Sequence, residues 1–310
     1  MANIGFVFSG QGSQYVGMGK DLYENYTEAK EVFDKADNIL GYSIKDICFN
    51  GPKDKLDITN ITQPAIFTLS VAIANILKNK NINAMCTCGL SLGEYTGIYY
   101  AGMINLEEGL KLLKLRGEIM SRAYPTGKGA MTAVIGLKKE DVEDSIKLVE
   151  NDGIVEIANL NCPGQIVVTG DIKAIENIEE VFKSKKAMKV VRLDVSGPFH
   201  SSLLKEASLE LRLELEKLKF KNNELPVLTN YTGDVLDKNE IVNILSGQMC
   251  STVYFEDNIR KMLELGVDTF IEIGPGKALS GFIKRIDRKV KIMNAEDMES
   301  LKTVLEYFHV

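Results

Sequence analysis

Hydrophobic positions along the chain change period several times, and each change marks an element. Ile4, Phe6, Val7 and Phe8 follow one another almost without a polar break, which predicts a strand at the chain's start, over Met1–Phe8. Ala29, Val32, Phe33, Ala36, Ile39 and Leu40 then recur at i, i+3, i+4 and i+7, the signature of an amphipathic helix packed on that strand. The stretch from Pro64 to Leu77 is apolar on most sides yet carries Thr68, Ser70 and Asn75; it is shorter than the about 20 residues a bilayer demands, so a buried core helix is expected. A short buried strand over Asn83–Cys88 runs into a glycine-flanked bend, and a helix from Leu92 to Ala101 leaves it.

From residue 130 onward the pattern becomes a compact series of its own. Strands are expected at Ala130–Ile135, Val155–Leu160, Gln165–Thr169 and Met188–Leu193. Two helices sit between them: one carries Val142, Ile146 and Val149, the other Ile172, Ile175, Ile178, Val181 and Phe182, with Asp171 as its N-cap. The order βαββαβ is the ferredoxin-like pattern, and a self-contained unit in mid-chain reads as an insertion. The expected fold is therefore a large α/β-hydrolase-like domain with a mostly parallel sheet, built from residues 1–127 and 198–310, and an inserted ferredoxin-like subdomain over 128–197. Leu209, Leu211, Leu213 and Leu215 alternate as in a strand, but the Glu, Lys and Leu content of 205–219 favours helix. Val227–Asn230 and Thr269–Ile273 read as further strands, with a helix over Asp257–Leu265 between them.

Composition narrows the class. The 310 residues are 45% hydrophobic and 26% charged, enough for one large core and a smaller one. A formal charge of -6 argues against nucleic acid or an anionic membrane as a partner of the whole surface. The start lacks the basic region of an export signal, so a cytoplasmic protein is expected. Cys48, Cys86, Cys88, Cys162 and Cys250 are odd in number and scattered, as free thiols would be; Cys86 and Cys88 have no second ligand pair, and no metal is expected.

Candidate chemistry centres on Gly89-Leu90-Ser91-Leu92-Gly93. Between a strand and a helix, Gly-x-Ser-x-Gly forms a sharp bend that lifts the serine hydroxyl to a helix N-terminus, a site for acyl transfer through a serine ester. A serine nucleophile needs a base near neutrality; of the two histidines, His309 is penultimate, which leaves His200. Gly10-Gln11-Gly12-Ser13-Gln14 fails the dinucleotide pattern because Tyr15 takes the third glycine's place, and Gly274-Pro275-Gly276-Lys277 lacks the Walker spacing. The first of these turns can instead present the Gln11 N–H beside that of Leu92, a two-donor oxyanion hole. At this level an esterase or thioesterase-type hydrolase, with Asp194 or Glu156 as its acid, stands open beside an acyltransferase.

Together these segments resemble the malonyl-CoA:acyl carrier protein transacylase family. The resemblance rests on Phe8-Ser9-Gly10-Gln11-Gly12-Ser13-Gln14, Thr62-Gln63-Pro64-Ala65, Gly89-Leu90-Ser91-Leu92-Gly93-Glu94-Tyr95, Arg116-Gly117, Gly129-Ala130-Met131, Asn161-Cys162-Pro163-Gly164-Gln165, Pro198-Phe199-His200-Ser201-Ser202 and Glu272-Ile273-Gly274-Pro275-Gly276. It implies Ser91 as nucleophile, His200 as base, Gln11 and Leu92 as oxyanion donors, and Arg116 as receptor for the malonyl carboxylate. On sequence alone Arg116 would be an ordinary solvated helix residue. The resemblance also places Gln63, Met131, Asn161 and Phe199 around the acyl pocket, and makes the Gln248 carbonyl the group that orients His200. Implied partners are malonyl-CoA and holo acyl carrier protein, in fatty-acid synthesis, with no cofactor of the enzyme's own and a monomeric state. The family commonly has Gly-His-Ser at the bend; Leu90 here puts the whole burden of base catalysis on His200. An acidic carrier would dock on local basic charge, for which Lys183, Lys185, Lys186 and Lys189, or Lys284, Arg285, Arg288, Lys289 and Lys291, are candidates.

Overall fold

The computed structural model describes residues 2–125, 127–195 and 197–310. Among the described residues there are eight strands: β1 Ile4–Phe8, β2 Cys86–Gly89, β3 Gly129–Ile135, β4 Val155–Cys162, β5 Gln165–Asp171, β6 Lys189–Arg192, β7 Thr269–Ile273 and β8 Lys291–Ala295. They form two four-stranded sheets, in the orders β2-β1-β7-β8 and β4-β5-β3-β6.

The first sheet is parallel throughout, and β1 at its centre is buried along its length, which is why its sequence is apolar without alternation. Phe8 pairs with Gly89 on one side and Ile273 on the other, so the turns after all three strands leave from one edge. In open α/β sheets that carboxyl edge is where ligands bind. The expected strand at Val227–Asn230 is reduced to two isolated bridges, Val227 to Thr87 and Leu228 to Val235, because the chain turns away after Leu228 N donates to the Thr87 carbonyl. Met1 of the expected first strand lies outside the described residues.

The apolar helix is longer than the sequence pattern suggested. It spans Thr59–Asn79, and Pro64 lies inside it rather than at its start. By length and composition alone it could cross a membrane, but most of its residues are packed inside the protein against the helices Thr27–Leu40 and Leu106–Arg122. Alternating leucines in the segment Lys205–Leu215 resolve as helix: Leu211 and Leu215 are buried, while Leu209 and Leu213 face solvent.

The second sheet is antiparallel. Ala130, Val134, Ile166 and Val168 on one face meet Val142, Ile175, Ile178 and Phe182 from the helices Lys139–Lys147 and Ile172–Ser184. Met131, Ala133 and Val167 on the other face join the main core. That two-faced burial makes this sheet a wall of the cleft rather than a remote appendage. Asp171 begins the second helix but makes no side-chain cap; its carboxylate is drawn off to Ile154 N (2.8 Å) and the Tyr124 hydroxyl.

Candidate active site

Residues 89–93 form a bend that backbone contact leaves no freedom to alter. A Cβ on Gly89 would lie 2.0 Å from the Gly93 carbonyl carbon, and one on Gly93 would lie 2.2 Å from the Phe8 carbonyl oxygen. Between them Ser91 adopts φ 54° and ψ -106°, a sparsely populated conformation that costs of order 1–3 kcal/mol. Asn230 holds this strain: its Oδ1 accepts from Ser91 N at 2.6 Å and its Nδ2 donates to the Gly89 carbonyl at 2.7 Å. Leu92 opens the helix Leu92–Tyr100, where a first-turn N–H has no helical carbonyl to bond. The Gln11 turn packs against the same bend, since a Cβ on Gly10 would lie 2.7 Å from the Leu90 carbonyl oxygen.

Ser91 Oγ lies 2.9 Å from His200 Nε2, although 109 residues separate them. His200 Nδ1 lies 2.8 Å from the Gln248 carbonyl oxygen. A carbonyl only accepts, so Nδ1 carries the proton and Nε2 is the acceptor facing the serine. Burial and then the nearby Arg116 charge push the His200 pKa down to about 4. The ring is therefore neutral, and ready to take a proton, far below the range expected of an ordinary histidine.

Arg116 is fully buried on the helix Leu106–Arg122. Its Nη1 donates to Gln63 Oε1 at 2.9 Å; its Nη2 donates to Gln248 Oε1 at 2.8 Å and to Ser91 Oγ at 3.1 Å. The guanidinium also lies 5.3 Å from the centre of the Tyr95 ring. The side chains that touch this cation directly are neutral, so no carboxylate occupies the guanidinium itself and it can receive an anion beside Ser91.

In front of Ser91 opens a cavity of about 130 Å³, lined by Gln11, Leu90, Met131, Asn161, Phe199 and His200 among others. Met120, Asn159, Val167, Leu193 and Val195 complete the wall, and the sequence pattern singled out none of these. Asn161 Oδ1 is buried with no partner among the described residues, an acceptor left for a ligand's donor. The expected residues thus converge on one place. Glu94 and Asn230, which tie the bend together beneath the surface, were not picked out; their signal was a Glu directly after the second glycine and an Asn at the end of an expected strand.

Neither acid proposed for a hydrolase sits on the histidine. Glu156 accepts from Ser202 N at 2.7 Å and Ser202 Oγ at 2.5 Å, bracing the turn after His200, and Asp194 lines the outer cleft with Lys53 and Asp57. At Gly274–Lys277 the protein uses its own carboxylates: Glu296 accepts from Gly276 N, and Glu272 from Leu279 N and Ser280 N. No cluster of metal-ligating side chains occurs among the described residues.

A model of the acyl transferase domain family matches residues 5–304. A curated malonyl CoA-acyl carrier protein transacylase of Bacillus subtilis is 40% identical over 308 residues, spanning 99% of this chain and 97% of that one. The crystal structure of malonyl CoA-acyl carrier protein transacylase from Clostridium perfringens superposes with a TM-score of 0.96 at 43% identity, covering 99% of this chain and 98% of the other. A malonyl-transacylase solved in complex with a holo type II PKS acyl-carrier protein superposes equally well, with a TM-score of 0.96 at 34% identity and coverage of 99% and 100%.

Proposed function

Since the chain belongs to the acyl transferase family, among the malonyl-CoA:acyl carrier protein transacylases, we propose that it carries a malonyl group from malonyl-CoA to the phosphopantetheine thiol of acyl carrier protein in fatty-acid synthesis. The observation that carries this reading is the buried Arg116 guanidinium 3.1 Å from Ser91 Oγ. A cation there pairs with the free carboxylate of a malonyl group, whereas an acetyl methyl would leave it without a charge partner.

Ser91 Oγ attacks the thioester carbonyl while His200 Nε2 takes its proton, and the N–H groups of Gln11 and Leu92 receive the oxyanion. Collapse expels coenzyme A, whose sulfur takes the proton back from His200. The carrier thiol then attacks the malonyl-Ser91 ester, giving up its proton to His200, and Ser91 Oγ leaves with that proton. The Gln248 carbonyl holds the imidazole in the required tautomer, the place a carboxylate fills in a hydrolase triad. Gln63 orients Arg116, while Met131, Asn161 and Phe199 shape the acyl pocket. The enzyme needs no cofactor for these steps.

The same reading divides the chain into a hydrolase-like α/β domain, 1–127 with 198–310, and an inserted ferredoxin-like subdomain, 128–197. Support for the second comes from its βαββαβ order and its antiparallel sheet, in which the first strand lies between the third and the fourth. It works as a cytoplasmic monomer, with neither nucleic acid nor membrane as partner.

Mass spectrometry after brief mixing with malonyl-CoA tests the whole. The expected result is a malonyl adduct on Ser91, absent in Ser91→Ala and discharged faster by holo carrier protein than by water. Rapid release of free malonate would overturn transfer in favour of hydrolysis.

A further inference from the structure

Glu94 lies fully buried on the first turn after Ser91 and takes no part in the steps above. Its Oε2 accepts two hydrogen bonds, from Asn230 N and Gln248 Nε2, each at 2.8 Å, while its Oε1 has no partner among the described residues. Each donor governs a different part of the site. Asn230 holds the strained bend from both sides. Gln248 holds Arg116 through Oε1 and His200 through its carbonyl, and its Nε2 also reaches the Ser91 carbonyl at 3.1 Å. A carboxylate oxygen facing that amide admits only its NH₂ side, so Oε1 must point at Arg116.

Resting on the assignment of Arg116 to the acyl carboxylate, we infer that Glu94 is a positioning residue of this subsite and works by charge exchange. It is ionised while Arg116 is unoccupied, and it takes up a proton when an acyl carboxylate pairs with that guanidinium.

The reason is electrostatic. Glu94 and Arg116 are both shut away from water, and one amide separates them, so in the free protein each offsets the other's charge. A second carboxylate on Arg116 leaves two anions to one cation at low dielectric, and the anion without a direct ionic contact is the one to be neutralised. The partnerless Oε1 is where the proton goes, and Oε2 keeps both its hydrogen bonds. Burial, partly offset by these hydrogen bonds and by Arg116, already raises the Glu94 carboxyl to about 7. The other ionisable groups that face it keep their charge state near neutrality: burial pushes Tyr95 up to about 12 and the Cys88 thiol well above its ordinary range, and Arg116 stays cationic. Asn230 and Gln248 carry no charge.

The test measures KM for malonyl-CoA in the loading step between about pH 6 and 8.5, in wild type and Glu94→Gln. Wild-type KM is expected to rise above about pH 7, approaching tenfold per unit as Glu94 must be protonated for binding. Glu94→Gln should hold the low value throughout. A purely structural role would raise KM at every pH and leave the slope intact. Calorimetry on Ser91→Ala protein, in buffers of different ionisation enthalpy, supplies a second readout without altering Glu94: net proton uptake with malonyl-CoA and none with acetyl-CoA near pH 7.5. An unchanged slope in Glu94→Gln, or no proton uptake, overturns the inference. If wild type also loads acetyl-CoA as readily as malonyl-CoA, the Arg116 assignment has failed with it; if malonyl selectivity persists, the charge exchange alone has failed.

Discussion

The two sheets that meet at the cleft do different work, and their tolerance to change differs accordingly. On the parallel side, the bend at 89–93 is packed so closely that a Cβ on Gly89 or Gly93 would come within 2.0 and 2.2 Å of backbone atoms, and it rests on a buried layer of Glu94, Arg116, Asn230 and Gln248. On the antiparallel side, the face toward the cleft is Met131, Ala133 and Val167, while the last strand, β6, is largely exposed. Chemistry is held by groups that cannot move without breaking a hydrogen bond. Under the proposed function, acyl selectivity rests partly on side chains that can change size.

Gly93→Ala should break the comparison most sharply. Its Cβ meets the Phe8 carbonyl oxygen, which is fixed in the central strand, so the clash cannot relax by a rotamer change. We expect a loss of about 4 kcal/mol or more in denaturant unfolding, together with loss of Ser91 loading. Val191→Thr in β6, where the residue is 44% exposed, should change stability by no more than about 0.5 kcal/mol. Equal effects from the two would refute the contrast.

Arg116→Ala comes next. Removing two charge-assisted hydrogen bonds to the malonyl carboxylate is expected to lower kcat/KM for malonyl-CoA about 10³-fold, roughly 4 kcal/mol, with acetyl-CoA far less affected. The same variant carries a pH signature. Arg116 contributes to holding His200 down at about 4, so its removal moves the acid limb of acetyl loading upward, toward 6.5. An acid limb unmoved by the change would show that burial alone sets the histidine.

The sequence made the elements legible where hydrophobic period and length agreed, as at Thr269–Ile273 and in the βαββαβ series. It misjudged Pro64, because a proline beyond the first turn of a well-packed helix removes one hydrogen bond that tertiary burial outweighs. At the site, Ser91 and His200 could be named from residue type and elimination, but Arg116 could not. Nothing local distinguishes a buried arginine from a solvated one, and its partners lie 53 and 132 residues away at Gln63 and Gln248. Glu94 escaped notice for the same reason: its role lies in Asn230 and Gln248, which only the fold brings to it.

Met131→Ala probes the adaptable wall. Met131 is buried, lines the cavity, and returns its carbonyl to Leu193 N at 2.9 Å, an interaction that survives the change. Loss of the side chain should cost about 2–3 kcal/mol of stability. Malonyl loading should fall less than tenfold, and the ratio of methylmalonyl-CoA to malonyl-CoA loading should rise. A fall in malonyl loading as deep as that of Arg116→Ala would place Met131 with the fixed half of the site.

The smallest effect is expected at the surface proposed to receive the carrier. Lys183 is already paired with Glu180 at 2.6 Å, and Lys185 donates to the Asp141 carbonyl at 3.1 Å, so part of that cluster's charge is engaged within the protein. Arg285 instead donates to Gln165 at 3.4 Å, on the hairpin whose two strands bring Asn161 and Val167 to the cavity. A phosphopantetheine arm has finite reach, so the docking surface must lie beside structure that leads to Ser91. Charge reversal at Arg285 and Arg288 should therefore raise KM for holo carrier protein several-fold, an effect of about 1 kcal/mol that diminishes with salt, while malonyl-CoA loading is unchanged. Reversal at Lys183 and Lys185 should leave both unchanged, and the opposite pattern would move the carrier to the far helix of the antiparallel unit.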